Sequence, residues 1–139
     1  MTSFKFCLIG QLPSGKNQVG ISTSGGKIRR YPNARFVKWR TFSWEQIRGK
    51  RLADGLSWHT LELPASVVVD YWPGDLIGRD VPGMMDALCH LLEWCPVHRR
   101  GCPCQLPIVR NDKLLVNWSW QNMGLDRENP RVNIEIKVI

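Results

Sequence analysis

Acidic side chains are nearly absent from the first 51 residues of this 139-residue chain, where Glu45 stands alone against eleven lysines and arginines. That poverty excludes an acidic or charge-balanced N-terminal half. Long apolar runs are also missing. None approaches the roughly 20 residues a membrane-spanning helix requires, so a transmembrane helix is not expected. Met1 to Gly10 holds one lysine and a short alternating run rather than a secretion signal, and a cytoplasmic location is the expectation. There is no internal repeat, low-complexity tract or long linker, which leaves one compact domain. The five cysteines are an odd number, and with no secretion signal they argue against a disulfide framework.

What the chain does have is a divided charge. Nineteen bases and twelve acids leave a net charge of +7, and the last 88 positions hold eight of those bases and eleven of those acids. A basic half can neutralise phosphates and release counterions, and an acidic half can hold a metal. The plainer reading of the same charge run is a solvated face of a basic protein.

Periodicity divides the chain into recognisable elements. Phe4 to Ile9 partly alternates as an opening strand, with Cys7 expected to pack as a small hydrophobe. A turn-rich stretch from Gln11 to Asn17 follows. Val19–Ser22 and Lys27–Tyr31 read as a hairpin around Gly25-Gly26. Pro32-Asn33 opens a helix to about Arg51, which Ser43 and Gln46 divide in two if they form a capping box. Val67-Val68-Val69 marks a buried strand within Leu63–Trp72. Val81, Met84, Met85, Leu88, Leu91 and Leu92 form an apolar stripe at helical spacing over Val81–Trp94. Asp80 stands at its N-cap and Pro82 in its first turn. Lys113–Trp120 and the alternating run from Val132 to Val138 read as two further strands.

The acids gather around the Val81–Trp94 helix. Asp80 lies at its start. Asp86, His90 and Glu93 share the face opposite the methionines and leucines, and Asp112 precedes the next strand. Carboxylates at the ends of neighbouring elements can hold Mg²⁺, which takes one or two of them plus waters and substrate phosphates and activates water for in-line attack. Spacing alone favours the plainer assignment: Asp80 as a helix cap, Asp86 as a solvated residue and Asp112 as a turn residue.

Four segments, in order, resemble the RusA family of Holliday-junction endonucleases. They are the opening strand with Leu12-Pro13-Ser14-Gly15-Lys16-Asn17, the basic stretch from Arg29-Arg30-Tyr31-Pro32 to Trp39-Arg40, Gly78-Arg79-Asp80 with Asp86-Ala87-Leu88, and Ile108-Val109-Arg110-Asn111-Asp112. The resemblance implies an α+β fold, a single compact mixed α/β domain over residues 1–139 with a mixed β-sheet packed against two or more helices. It further implies a homodimeric, Mg²⁺- or Mn²⁺-dependent enzyme of bacterial or phage origin that nicks opposite strands of four-way DNA junctions. Asp80 and Asp112 then take the places of metal-binding, catalytic aspartates. The family's Asp-x-Asp-Asn is here Asp80-Val81-Pro82-Gly83, and the helix lacks the family's lysine. Asp86, or with less support Asp75, is left to supply the missing carboxylate. Lys16, Lys27, Arg29, Arg30, Arg35, Lys38 and Arg40 become candidates for contact with DNA phosphates.

Cys95, His98, Cys102 and Cys104 place three thiols and an imidazole within ten residues, in a loop of about 95–107 that looks like an insertion. Thiolate and imidazole are the donors of structural Zn²⁺; a loop of reduced thiols is the alternative. Trp39 and Trp44 suit either base stacking or the core, and Trp118 and Trp120 the core. Three rivals stay open: a catalytically inactive protein that binds branched DNA, a small zinc-containing nucleic-acid-binding module, and a protein-interaction module whose basic half is incidental.

Overall fold

In the computed structural model, residues 3–14, 19–22, 24–26, 29–54, 59–95 and 107–139 are described, with the backbone alone for 19–22, 24 and 29–32. The chain runs β1 (Ser3–Ile9), β2 (Val19–Ser22), β3 (Arg29–Pro32), α1 (Ala34–Ala53), β4 (Ala65–Trp72), α2 (Val81–Glu93), β5 (Leu115–Asn122) and β6 (Arg131–Val138). Four strands form a mixed sheet in the order β1-β6-β4-β5, and β2 and β3 make a separate hairpin. β6 is antiparallel to both β1 and β4, whereas β4 and β5 are parallel. The link between the parallel pair is therefore a crossover, and α2 is its helix. This is a single small α+β domain.

One face of the sheet builds the core. Phe4, Phe6 and Leu8 alternate inward from β1, Ala65, Val67, Val69 and Tyr71 from β4, and Val132, Ile134 and Ile136 from β6. Met84, Leu88, Leu91 and Leu92 of α2 and Ile47 of α1 close over them in one cluster. Strand side chains alternate between faces, so the inward set dictates the outward one. Cys7 falls between Phe6 and Leu8 and is exposed, which corrects its expected core role. Val68 falls between Val67 and Val69 and is 41% exposed. The valine run is thus half-buried, because helices cover only one side of the sheet.

α1 is one unbroken helix of 20 residues. Asn33 caps it, its Oδ1 accepting from the Arg35 and Phe36 amides at 2.9 and 3.3 Å. The expected break at Ser43 does not form. Ser43 is fully buried, and Gln46 is engaged elsewhere, its Oε1 accepting the Ile9 amide at 2.7 Å. That bond ties α1 to the end of β1. Among the described residues, no helix is long and apolar enough to cross a membrane.

The chain beyond α2 is pinned before it reaches β5. The Ile108 and Val109 amides both donate to the Leu92 carbonyl, at 2.9 and 3.0 Å. Leu61 forms a parallel bridge with Val109. Buried amides and carbonyls need partners, and these bonds satisfy the last turn of α2 while fixing where Asp112 stands.

Candidate functional site

An open cleft lies at the C-terminal end of β4. Gln11, Pro13 and Ser14 form one wall, Asn33, Arg35 and Phe36 at the start of α1 a second, and Ile77 to Asp80 the third. Gln11 organises it. Its amide oxygen accepts from Gly74 N at 2.7 Å, and its amide nitrogen donates to the Tyr71 hydroxyl. Gly74 is required at the turn, because a Cβ there would sit 2.8 Å from Cβ of Pro130.

Asp80 occupies the N-cap position of α2, but its carboxylate does not cap the helix amides. It lies instead over the first turn, beside Ser14. A Cβ on Gly83 would fall on both Asp80 Oδ1 and Ser14 Oγ, far inside contact distance. Gly83 thus leaves the space in which a carboxylate and a hydroxyl from distant segments come together. The sequence carries one signal of this: a glycine in the first helical turn costs about 1 kcal/mol relative to alanine, so its presence there asks for a packing reason.

The other acids lie elsewhere. Asp75 is bound by Arg79 through two bonds, Nη1 to Oδ1 at 2.7 Å and Nη2 to Oδ2 at 3.0 Å. The Arg79 hydrogen bond holds the Asp75 carboxyl below its ordinary range. Asp75 therefore staples the loop leading to Asp80. Asp86 stands near the middle of α2, and Asp112 lies beyond its far end, where the Asp112 amide donates to Glu93 Oε2 at 2.9 Å. At about 1.5 Å of rise per residue, Asp80 and Glu93 are separated by roughly 20 Å of helix. The expected single constellation is therefore divided, with Asp80 at one end of α2 and Asp112 beyond the other. Among the described residues, no three histidine, cysteine, aspartate or glutamate side chains are placed to hold one metal ion. Among the described residues, Asp80, Asp86 and Asp112 therefore form no three-carboxylate cage. Asp80 alone offers the smaller demand of Mg²⁺, one carboxylate completed by waters and phosphate oxygens.

Cys89 lies among the distal acids, and its thiol is pushed up from 9.0 to about 12, by burial first and then by Asp112, Asp86 and Glu93. A raised value means the folded state holds the proton. Its contribution to stability is complete below pH 9 and is lost as pH rises toward 12. At pH 8 the native protein should therefore contain far less Cys89 thiolate than an ordinary exposed thiol would give. Peptide mapping after iodoacetamide treatment should find Cys89 protected until the chain is unfolded; equal labelling of native and unfolded protein would refute this.

The candidate cations separate as well. Arg35 and Lys38 are exposed on α1, and Arg35 lines the Asp80 cleft. The first turn of α1 carries no acid, so Arg35 stands at the positive end of the helix dipole, where a cation is disfavoured unless an anion joins it. Arg40 is turned into the seam between α1 and α2, with its guanidinium 4.1 Å from the Trp94 ring centre and 5.7 Å from that of Phe36. Burial lowers its pKa. That placement makes Arg40 a packing residue first. Arg29 and Arg30 lie on β3; Lys16 and Lys27 lie outside the described residues, as do His98, Cys102 and Cys104 of the expected zinc set. Cys95 is described and half-buried just past α2. Trp39, Trp44, Trp118 and Trp120 all pack partly buried against the core, and His90 meets Phe36 edge-on.

No protein-family model matches this chain, and a search of curated proteins finds no match.

Proposed function

We propose that this protein binds branched DNA through α1 and the Asp80 cleft, and nicks it as a Mg²⁺- or Mn²⁺-dependent endonuclease acting on four-way junctions. One observation carries the reading: Asp80 and Arg35, from separate segments, line the same open cleft. A guanidinium binds a phosphate, and a neighbouring carboxylate can hold a cation against that phosphate's oxygens. Beyond Arg35, the exposed Lys38, Arg48 and Lys50 of α1 extend the positive surface away from the cleft, and Glu45 is the helix's single acid. The resemblance to the RusA family supplies the junction as substrate, a homodimer as the working form and the cytoplasm as its location. A divalent ion, when bound, would stabilise charge on the phosphate and activate water. For the chain's own residues, Arg35 and Lys38 would position the backbone, Ser14 would fix the rotamer of Asp80, and Asp80 would accept the ion. Structural Zn²⁺ in the loop of Cys95, His98, Cys102 and Cys104 belongs to the same proposal.

A second reading is favoured by the division of the acids. With Asp80 and Asp112 at opposite ends of α2, a protein that binds branched DNA without cutting it fits equally well. Incubating the protein with a labelled four-way junction, in Mg²⁺ and in EDTA, separates the two. Paired nicks in Mg²⁺ alone support the nuclease; tight binding without nicks under Mg²⁺ or Mn²⁺ leaves the binder. In either case affinity should fall steeply with salt, and Arg35→Ala and Lys38→Ala should each lower the slope of log K against log salt by about one. An affinity insensitive to salt would sink both readings.

A further inference from the structure

A second cleft backs onto the first. Ile77, Gly78 and Arg79 line the Asp80 cleft and this second one alike, so one short stretch of chain is the wall between them. The second cleft opens at the carboxyl ends of the parallel strands β4 and β5, the end at which sheets with crossover helices hold their ligands. Its volume is about 630 Å³, within the range of small-ligand pockets. Its lining has another character. Tyr71, Met84 and Trp120 stand behind Leu76, Ile77 and Leu125. Leu76 is 79% exposed, Ile77 67% and Leu125 43%, and grouped apolar surface of this kind marks a binding site. Both sides of the cleft are held in place. Asp75 Oδ1 accepts the Ile77 amide at 3.1 Å, and Arg79 Nη1 donates to the Ile77 carbonyl at 3.2 Å. Opposite them Trp120 stacks on Trp118, with ring centres 6.3 Å apart and planes 15° from parallel. A surface already ordered loses little entropy when a ligand joins it.

We infer that this apolar cleft receives one unpaired base of the strand whose phosphate enters the Asp80 cleft. The inference rests on the proposed DNA reading and narrows its substrate to strands that present a base free of its stack beside the bound phosphate. Three features select a base as occupant. First, a nucleotide joins an anionic phosphate to a flat ring with apolar faces. The wall from Ile77 to Arg79 sets a cleft bearing Arg35 against one lined by aromatic and aliphatic side chains, so the two halves of one nucleotide each find their own environment. Second, every base has a face that stacks on aromatic side chains, and Tyr71 and Trp120 supply such side chains. Third, the net charge of +7 draws a polyanion, rather than an apolar segment of another protein, to this side of the molecule. Trp120 and Leu125 lie outside the set proposed to hold phosphate or metal, so the site can be altered without touching that set.

The test is photocrosslinking of the full chain to four-way junctions in EDTA, each junction carrying 5-iodouracil at a single position near the branch. Irradiation couples that base to an aromatic side chain in contact with it. Peptide mapping should place the adduct on Trp120 or Tyr71. Leu125→Glu sets a carboxylate on the exposed rim of the cleft and should lower the adduct by about tenfold or more, the scale of one base stack, whereas Leu125→Met should keep it. A mismatch at the crosslinked position removes the cost of unpairing. It should therefore tighten binding by the wild type and leave binding by Leu125→Glu unchanged. Junctions that bind but give no adduct on Trp120 or Tyr71 at any position would overturn the base site and leave the DNA reading standing. So would an adduct as strong in Leu125→Glu as in the wild type, or a mismatch that helps both proteins equally. A chain that binds no junction in the same samples would overturn the DNA reading and the base site together.

Discussion

Asp80→Asn is expected to lower Mg²⁺-dependent nicking of a four-way junction by about 100-fold or more, the rate equivalent of losing several kcal/mol of metal-borne charge stabilisation. The substitution is chosen for what it leaves alone. Asparagine has the shape of aspartate, so it fits the space over Gly83 beside Ser14. Asparagine is also a good N-cap residue, and Asp80 is exposed, so stability should stay within about 0.5 kcal/mol. Removing a negative charge beside a phosphate should leave junction binding equal or tighter. Loss of cleavage with binding and thermal unfolding unchanged therefore assigns Asp80 to the chemistry. Cleavage within a few-fold of the wild type would remove the metal from this cleft and redirect attention to Asp86 and Asp112.

Gly83→Ala should destabilise the protein by up to about 1 kcal/mol, because turning Asp80 and Ser14 aside to make room breaks their contact and outweighs the gain in helix propensity. The expected sign is what makes this informative. Within a helix, alanine in place of glycine ordinarily stabilises by about 1 kcal/mol. Gly49 of α1 provides the control, since a Cβ there meets nothing within 4 Å, and Gly49→Ala should stabilise by about 0.5–1 kcal/mol. Urea denaturation of the two variants should move the midpoints in opposite directions. The double variant Gly83→Ala/Ser14→Gly should recover part of the loss, because it removes one of the two oxygens in the way. If Gly83→Ala stabilises as Gly49→Ala does, Ser14 and Asp80 are not held together over this turn, and the account of the cleft fails.

Much of the fold was legible because burial has a period. The stripe from Met84 to Leu92 forecast α2, and the alternation from Val132 to Val138 forecast β6. Where the forecast failed, the missing information was which side another element covers. Cys7 and Val68 resemble core residues in type, yet each points to the uncovered face of the sheet. Ser43 and Gln46 fit a local capping pattern, but burial claimed Ser43 and the end of β1 claimed the side chain of Gln46. Arg40 has the composition of a DNA contact, but Phe36 and Trp94 flank its guanidinium.

The sequence by itself determined the elements, the apolar faces of α2 and β6, and the concentration of positive charge before Leu52, because these depend on neighbours within a few residues along the chain. Only the tertiary structure decided which acids meet. Asp80, Asp86 and Asp112 are close on the scale of the sequence, and the resemblance to the RusA family, rather than their spacing, set them in a single site. β4 and β5 are parallel, however, so the crossover helix must begin at one end of the strands and finish at the other. That geometry sends Asp80 to the cleft shared with Ser14 and Arg35, and carries Asp112 to the far end of α2 beside Glu93 and Cys89.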